Sequence, residues 1–192
     1  MSGFWIAVEG LDGCGKTTLC QRLSVANGGV MMATPGEAFR PLRQAVHAAL
    51  DEHVDALPLF YASTVVSAGH SARRLASEGG CVVMDRYWPS TVAYAMARGS
   101  RVDLGWLGAM VPAPDLFVLL ELPEAVRRQR LERRGMLAAD RETLQGDMGQ
   151  RIMDAYRDLM PEHLLVPADL SIEDQMAMVM GRVVEGGKPV GP

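Results

Sequence analysis

Eight residues near the N-terminus, Gly10-Leu11-Asp12-Gly13-Cys14-Gly15-Lys16-Thr17, follow the spacing G-x-x-x-x-G-K-[ST], and they constrain this chain more than any other stretch. The pattern carries meaning only between a strand and a helix, and both flanks qualify. Residues 4–8, Phe-Trp-Ile-Ala-Val, are apolar and β-favouring, while Thr18-Leu19-Cys20-Gln21-Arg22-Leu23 spaces its apolar residues as a helix does. Glycines let the backbone curl until successive N–H groups converge, and the positive end of the following helix points into the same hollow. Such a hollow suits the oxygens of a triphosphate. Lys16 adds a point charge for the β- and γ-phosphates, and Thr17 offers a hydroxyl to Mg²⁺, a cation that takes oxygen ligands. Of the 19 basic residues only Lys16 and Lys188 are lysine, so a chain that otherwise uses arginine places lysine where the motif needs it.

At 192 residues and 48% hydrophobic content, the chain is long enough for one well-filled domain and too short for two. The reading is one domain over residues 1–184, with a loose Gly- and Pro-rich tail at 185–192. A net charge of −4 argues against coating a long nucleic acid, so the arginines act locally. No stretch approaches the apolar length of a membrane span, and Cys14, Cys20 and Cys81 fit no metal-ligand spacing. They read as free thiols in a reducing compartment, with the cytoplasm the expected location.

Short apolar runs at 4–8, 29–32, 81–84, 116–120 and 164–166 alternate with helical patterns at 43–50, 57–77, 104–110, 124–134, 149–160 and 172–184. Ser171 stands where it can cap the last of these. This alternation predicts βαβ units, and so an α/β three-layer sandwich around a parallel, five-stranded sheet with the phosphate loop after its first strand.

Two further groups of residues sit where such a sheet places ligands. Val82-Val83-Met84-Asp85-Arg86-Tyr87 puts a carboxylate and a guanidinium directly after an apolar strand. Asp85 there can hold Mg²⁺ or its waters, and Arg86 can grip a second phosphate with its planar fork. The run from Arg127 to Arg134 aligns Arg127, Arg130 and Arg134 on one helix face, and Arg141 follows after a glycine and an irregular segment. Arginines that swing over a transferring phosphoryl group neutralise charge on its oxygens; a solvated helix face would show the same composition.

Taken in order and spacing, these features resemble the thymidylate kinase family of P-loop nucleoside-monophosphate kinases, over residues 4–168. The likeness is carried by Glu9 through Thr18, Pro35-Gly36, Leu59-Phe60-Tyr61-Ala62, Asp85-Arg86-Tyr87 with Ser90, Ala93 and Tyr94, Pro114-Asp115-Leu116, the arginine-rich segment, Asp140-Arg141-Glu142 and Tyr156. It implies phosphoryl transfer from Mg·ATP to a nucleoside monophosphate, dTMP or a related nucleotide, in a homodimer whose candidate surfaces are residues 57–75 and 104–110. It implies that Gly10, Leu11, Asp12, Gly13, Cys14, Gly15, Lys16, Thr17, Thr18 and Arg130 bind ATP, with Arg130 near the adenine. Thr17 and Asp85 would hold Mg²⁺. Lys16, Arg86, Arg134 and Arg141 would be catalytic, the last two from a lid at about 135–146. Asp12, Arg43, Phe60, Thr64, Arg86 and Tyr94 would bind the acceptor, with Phe60 under the base, Tyr94 near the sugar, and Arg40 or Arg43 reaching its phosphate.

The chain also departs from that pattern. Thr64 and Val66 stand where the family carries a base-reading Arg and Gln, and Ala33-Thr34-Pro35-Gly36-Glu37-Ala38 replaces a more charged loop. Discrimination comes largely from hydrogen-bonding a polar edge, so the change leaves three acceptors open: dTMP held by other contacts, another nucleotide, or a relaxed site. A kinase of a non-nucleotide acceptor is a rival reading, as is a nucleotide-dependent switch, although no Asn-Lys-x-Asp sequence is present. Trp5 reads as packing, and Trp88 as pocket lining or a cap on the sheet. His47, His53, His70 and His163 lack spacing for metal or triad chemistry and read as surface residues or as satisfied locally.

Overall fold

The computed structural model describes residues 3–39, 41–50 and 53–186. The five apolar runs become strands β1 (Phe4–Glu9), β2 (Val30–Ala33), β3 (Cys81–Asp85), β4 (Leu116–Glu121) and β5 (Leu164–Pro167), all parallel in the order β2-β3-β1-β4-β5. β1 and β3 lie inside the sheet and are covered on both faces, which is why each reads as a continuous apolar run.

Side chains alternate across the sheet and build a layer on each side. Ile6, Val8 and Val83 pack on α1 (Lys16–Ala26) and α9 (Ile172–Gly186) through Leu19, Leu23 and Val179. Trp5, Ala7, Val82 and Met84 pack on the opposite layer, formed by α3 (Ala56–Ser77) and α4 (Trp88–Ala97). Helix α8 (Met148–Leu159) extends that layer over Leu119. The single turn α5 (Leu107–Met110) is shorter than the helix expected over 104–110. α2 (Arg43–Leu50) and α6 (Glu124–Arg134) fall at their expected bounds.

Helix α4 was not among the expected elements. Its sequence, Trp-Pro-Ser-Thr-Val-Ala-Tyr-Ala-Met-Ala, is apolar almost all round because it is wedged between α3 and α8, so no polar stripe marks it. Pro89 sits in its first turn, where a missing N–H costs nothing. A second short helix, α7 (Ala138–Glu142), forms inside the segment expected to be irregular. α9 begins at the predicted cap, with the Asp174 N–H donating to the Ser171 Oγ at 3.1 Å. It runs through Gly186, so Glu185 and Gly186 belong to the helix rather than to the tail. Residues 187–192, with Lys188, and Arg40 lie outside the described residues.

The three cysteines are buried and free. Among the described residues no helix is long and apolar enough to cross a membrane. Strand register positions the chemistry: Val8 pairs with Asp85 and Glu9 with Leu119, so β1, β3 and β4 release the chain along one edge. The glycine loop leaving β1 and the Asp85-Arg86 pair leaving β3 are thereby neighbours.

Candidate active site

Between β1 and α1 the chain turns through three glycines at positive φ, Gly10 (141°), Gly13 (86°) and Gly15 (100°). At Gly13 a Cβ would also lie 2.7 Å from the Leu131 side chain, so conformation and space both require glycine there. No described side chain caps the first turn of α1, which leaves its N–H groups directed at the hollow. The Lys16 Nζ donates to the Leu11 carbonyl at 2.9 Å and lies 3.9 Å from Asp12, folded over the loop. The Thr17 hydroxyl donates to the Asp85 carboxylate at 2.6 Å, bringing together the two oxygens expected to serve a metal.

Arg86 faces this loop from β3. Its backbone is left-handed, with φ of 68°, a conformation that costs a non-glycine residue on the order of 1–3 kcal/mol. Tertiary contacts hold it: its N–H donates to the Val8 carbonyl at 3.0 Å, and its guanidinium donates to Asp12 at 2.6 Å, Ser90 at 2.9 Å and Tyr156 at 3.2 Å. Beneath lies Glu9, fully buried at the end of β1. Its carboxyl accepts from the Tyr87 N–H at 2.7 Å and the Ser90 hydroxyl at 2.5 Å. Burial pushes the Glu9 carboxyl up to about 7, against the opposing pull of the Ser90 hydrogen bond and the Arg86 charge. Asp12 goes the other way. Burial alone would raise it, but Arg86 and Lys16 hold it well below the usual carboxylate range.

Loop and arginine line one cavity of about 700 Å³. Asp12, Gly13, Gly15, Lys16, Thr17, Thr18, Asp85 and Arg86 line it, as do Arg130 and Arg134. The Arg134 guanidinium donates to both carboxylate oxygens of Asp140, each at 2.8 Å, and Arg130 donates to the Ala168 carbonyl at 3.0 Å. Arg141 is exposed on α7 and does not border the cavity, so of the two leading lid arginines only Arg134 faces it. Arg127, on the same face of α6, is 1% exposed and ties Thr143 to the Asp12 carbonyl, which makes it a strut under the loop. Leu11 and Cys14 face a separate cavity of about 450 Å³ behind the loop, and Gly10 borders neither.

The acceptor-side expectations divide. Arg43 and Tyr94 line the large cavity. Phe60 does not; it packs edge-on against Phe39 and Tyr61, at 5.8 and 5.5 Å between ring centroids. Thr64 is 3% exposed, and its hydroxyl donates to the Tyr61 carbonyl at 2.8 Å, facing its own helix instead of the cavity. Trp88 stacks edge-on with Phe117 and also stays out of the lining. Among the lining residues not selected as site residues are His47, Tyr61 and Arg98. Two had a signal, since His47 follows Arg43 and Arg98 follows Tyr94 at i,i+4 spacing. Arg98 makes a bidentate pair with Glu142 of α7, at 2.8 and 2.7 Å.

A parallel sheet in this order, with a glycine loop after its first strand and an arginine facing it from the neighbouring strand, is the fold of the P-loop nucleoside-monophosphate kinases, which are phosphotransferases. The chain belongs to the thymidylate kinase family: its sequence matches the thymidylate kinase family profile over residues 8–179. It is 31% identical over 195 residues to the thymidylate kinase of Xylella fastidiosa (strain M12), spanning 95% of this chain and 88% of that protein. It is also 31% identical over 193 residues to a probable thymidylate kinase of Pyrococcus horikoshii, spanning 91% and 92%. Among solved structures, the thymidylate kinase of Candida albicans superposes with a TM-score of 0.71 over 96% of this chain and 92% of that one, at 20% identity.

Proposed function

We propose that the protein is an ATP-dependent kinase of dTMP or a closely related deoxynucleotide, transferring the γ-phosphoryl group of ATP to the acceptor's 5′-phosphate. One observation carries this reading: Lys16 and the glycine loop border the same cavity as Arg86, so two groups suited to gripping phosphate share it. A switch needs one such group; a phosphoryl transfer between two phosphorylated molecules needs both.

In this reading the loop N–H groups and Lys16 hold the donor's β- and γ-phosphates, and Arg130 lies beside the adenine. Arg86, helped by Arg43, clasps the acceptor phosphate and Tyr94 meets the sugar. An acceptor phosphate oxygen attacks the γ-phosphorus, and the bond to the β,γ-bridging oxygen breaks with its electron pair leaving on ADP. The acceptor is already ionised at neutral pH, so no general base is needed. Arg134, once released from Asp140, neutralises charge on the transferring group from a lid spanning about 135–146. Thr17 and Asp85 supply an oxygen pair that would hold Mg²⁺, which bound there would neutralise charge on the donor phosphates.

The remaining parts of the reading are a kinase domain over residues 1–184, a cytoplasmic location in keeping with three free thiols, and a homodimer. Exposed Leu59, Trp106 and Met110 supply apolar surface near its candidate helices, and sedimentation velocity tests the dimer. Coupled ADP release over dTMP, dUMP, dCMP, dGMP and dAMP tests the function. Turnover of dTMP is expected; inertness of all five alongside phosphorylation of a sugar or an antibiotic would refute it.

A further inference from the structure

Two hydroxyl groups take both protons of one Arg86 nitrogen. Its Nη1 donates to the Ser90 Oγ at 2.9 Å and to the Tyr156 hydroxyl at 3.2 Å, while Nη2 carries the 2.6 Å contact to Asp12. Ser90 and Tyr156 are themselves 2.8 Å apart, so Nη1 and the two oxygens close a triangle. A hydroxyl has one proton to give and two lone pairs to offer. Within the triangle, therefore, one hydroxyl donates to the other and the second must send its proton outside. Glu9 decides which.

Its Oε2 lies 2.5 Å from the Ser90 Oγ, and its Oε1 accepts from the Tyr87 N–H at 2.7 Å and the Ser90 N–H at 3.4 Å. Both oxygens of a carboxylate that is 0% exposed thus meet donors. The Ser90 proton goes to Glu9, the Tyr156 proton goes to Ser90, and both Ser90 lone pairs are filled, by Tyr156 and by Arg86. The chain runs one way, from Tyr156 through Ser90 to Glu9.

We infer that Glu9 is a positioning residue for the acceptor phosphate: by accepting the Ser90 proton it fixes the direction of every hydrogen bond in the triangle, and so the aim of Arg86. This rests on the acceptor reading proposed above, in which Arg86 clasps that phosphate. Glutamine in place of Glu9 brings an NH₂ group among donors whichever way it turns. Facing Ser90, it competes with Arg86 for a lone pair; facing the other way, it meets the Tyr87 N–H and pushes on the peptide that follows Arg86.

The test is steady-state kinetics with dTMP and with ATP varied in turn, on the full chain and on its Glu9→Gln, Tyr156→Phe and doubly substituted forms, with thermal melting as a control for folding. The assay is run at pH 8, above the value of about 7 to which burial raises the Glu9 carboxyl. Glu9→Gln should raise the KM for dTMP by about 10–100-fold, with kcat and the KM for ATP within about threefold of the unsubstituted protein. Tyr156→Phe opens the same triangle from its other end, so adding it to Glu9→Gln should raise that KM by less than about threefold further. Should Glu9→Gln fail to fold, Ser90→Ala carries the same two expectations. An unmoved KM for dTMP, or effects of the two substitutions that multiply in full, overturns the inference and leaves the kinase reading intact. Inertness of the unsubstituted chain toward dTMP and the other four deoxynucleotides defeats both.

Discussion

The Arg86 guanidinium meets the Asp12 carboxylate at 2.6 Å, joining the residue that follows β3 to the glycine loop that follows β1. Asp12 thereby occupies Arg86 in the place of the acceptor phosphate proposed for it. Lysine cannot reproduce this fork, which also reaches Ser90 and Tyr156. Arg86→Lys is expected to lower kcat/KM for the acceptor by about 100-fold while leaving the KM for ATP unchanged, as steady-state kinetics with each substrate varied would show.

Glu9 gives the protein a pH-dependent stability. Folded, its carboxyl keeps its proton up to about 7, against an ordinary value near 4.5 when unfolded. Between these limits the folded state binds more protons than the unfolded one, so stability falls as pH rises through the window, by on the order of 3 kcal/mol in full. Urea melts at pH 5 and pH 7.5 should show the loss, and Glu9→Gln should flatten the slope. An unchanged slope in Glu9→Gln would assign the dependence to another group.

Arg134 and Arg141 separate by position. Arg134 borders the cavity and is held by a nearly buried Asp140, whereas Arg141 points to solvent. Arg134→Met is expected to reduce kcat by about 10²–10³-fold, the usual size of a lost donor to transition-state charge. Arg141→Met should change kcat by less than about threefold. Single-turnover measurements with saturating ATP compare the two directly.

Arg98, just past α4, and Glu142 of α7, in the segment proposed as a lid, are joined by two hydrogen bonds. Both side chains are partly exposed, at 26% and 35%, so solvent discounts the pair to about 1 kcal/mol. A double-mutant cycle of Arg98→Met and Glu142→Gln should return a coupling of that size in stability. It should also raise the KM of both substrates together, since the link spans the two sides of the cleft.

Much of this was legible along the chain. The glycine loop, the Asp-Arg pair after an apolar strand and the five apolar runs are local patterns, each fixed by a few neighbouring residues, and the structure places them at one edge of one sheet. Helix α4 was not legible, because a helix buried on nearly every side has no polar face to reveal its period. The resemblance put Phe60, not Tyr61, under the base; in the fold Phe60 packs on Phe39 and Tyr61 is the one bordering the cavity, a choice between adjacent aromatics on one helix that packing alone makes.

The sequence by itself determined the hollow proposed to bind phosphate, since loop curvature, the helix end, Lys16 and Thr17 all lie within eight residues and need only local geometry to come together. Tertiary structure alone decided which side chains from outside the loop line the cavity. His47, Tyr61, Tyr94 and Arg98 come from three different helices. Their convergence depends on how those helices pack over the sheet, and long-range packing of that kind leaves no periodic trace in the order of residues.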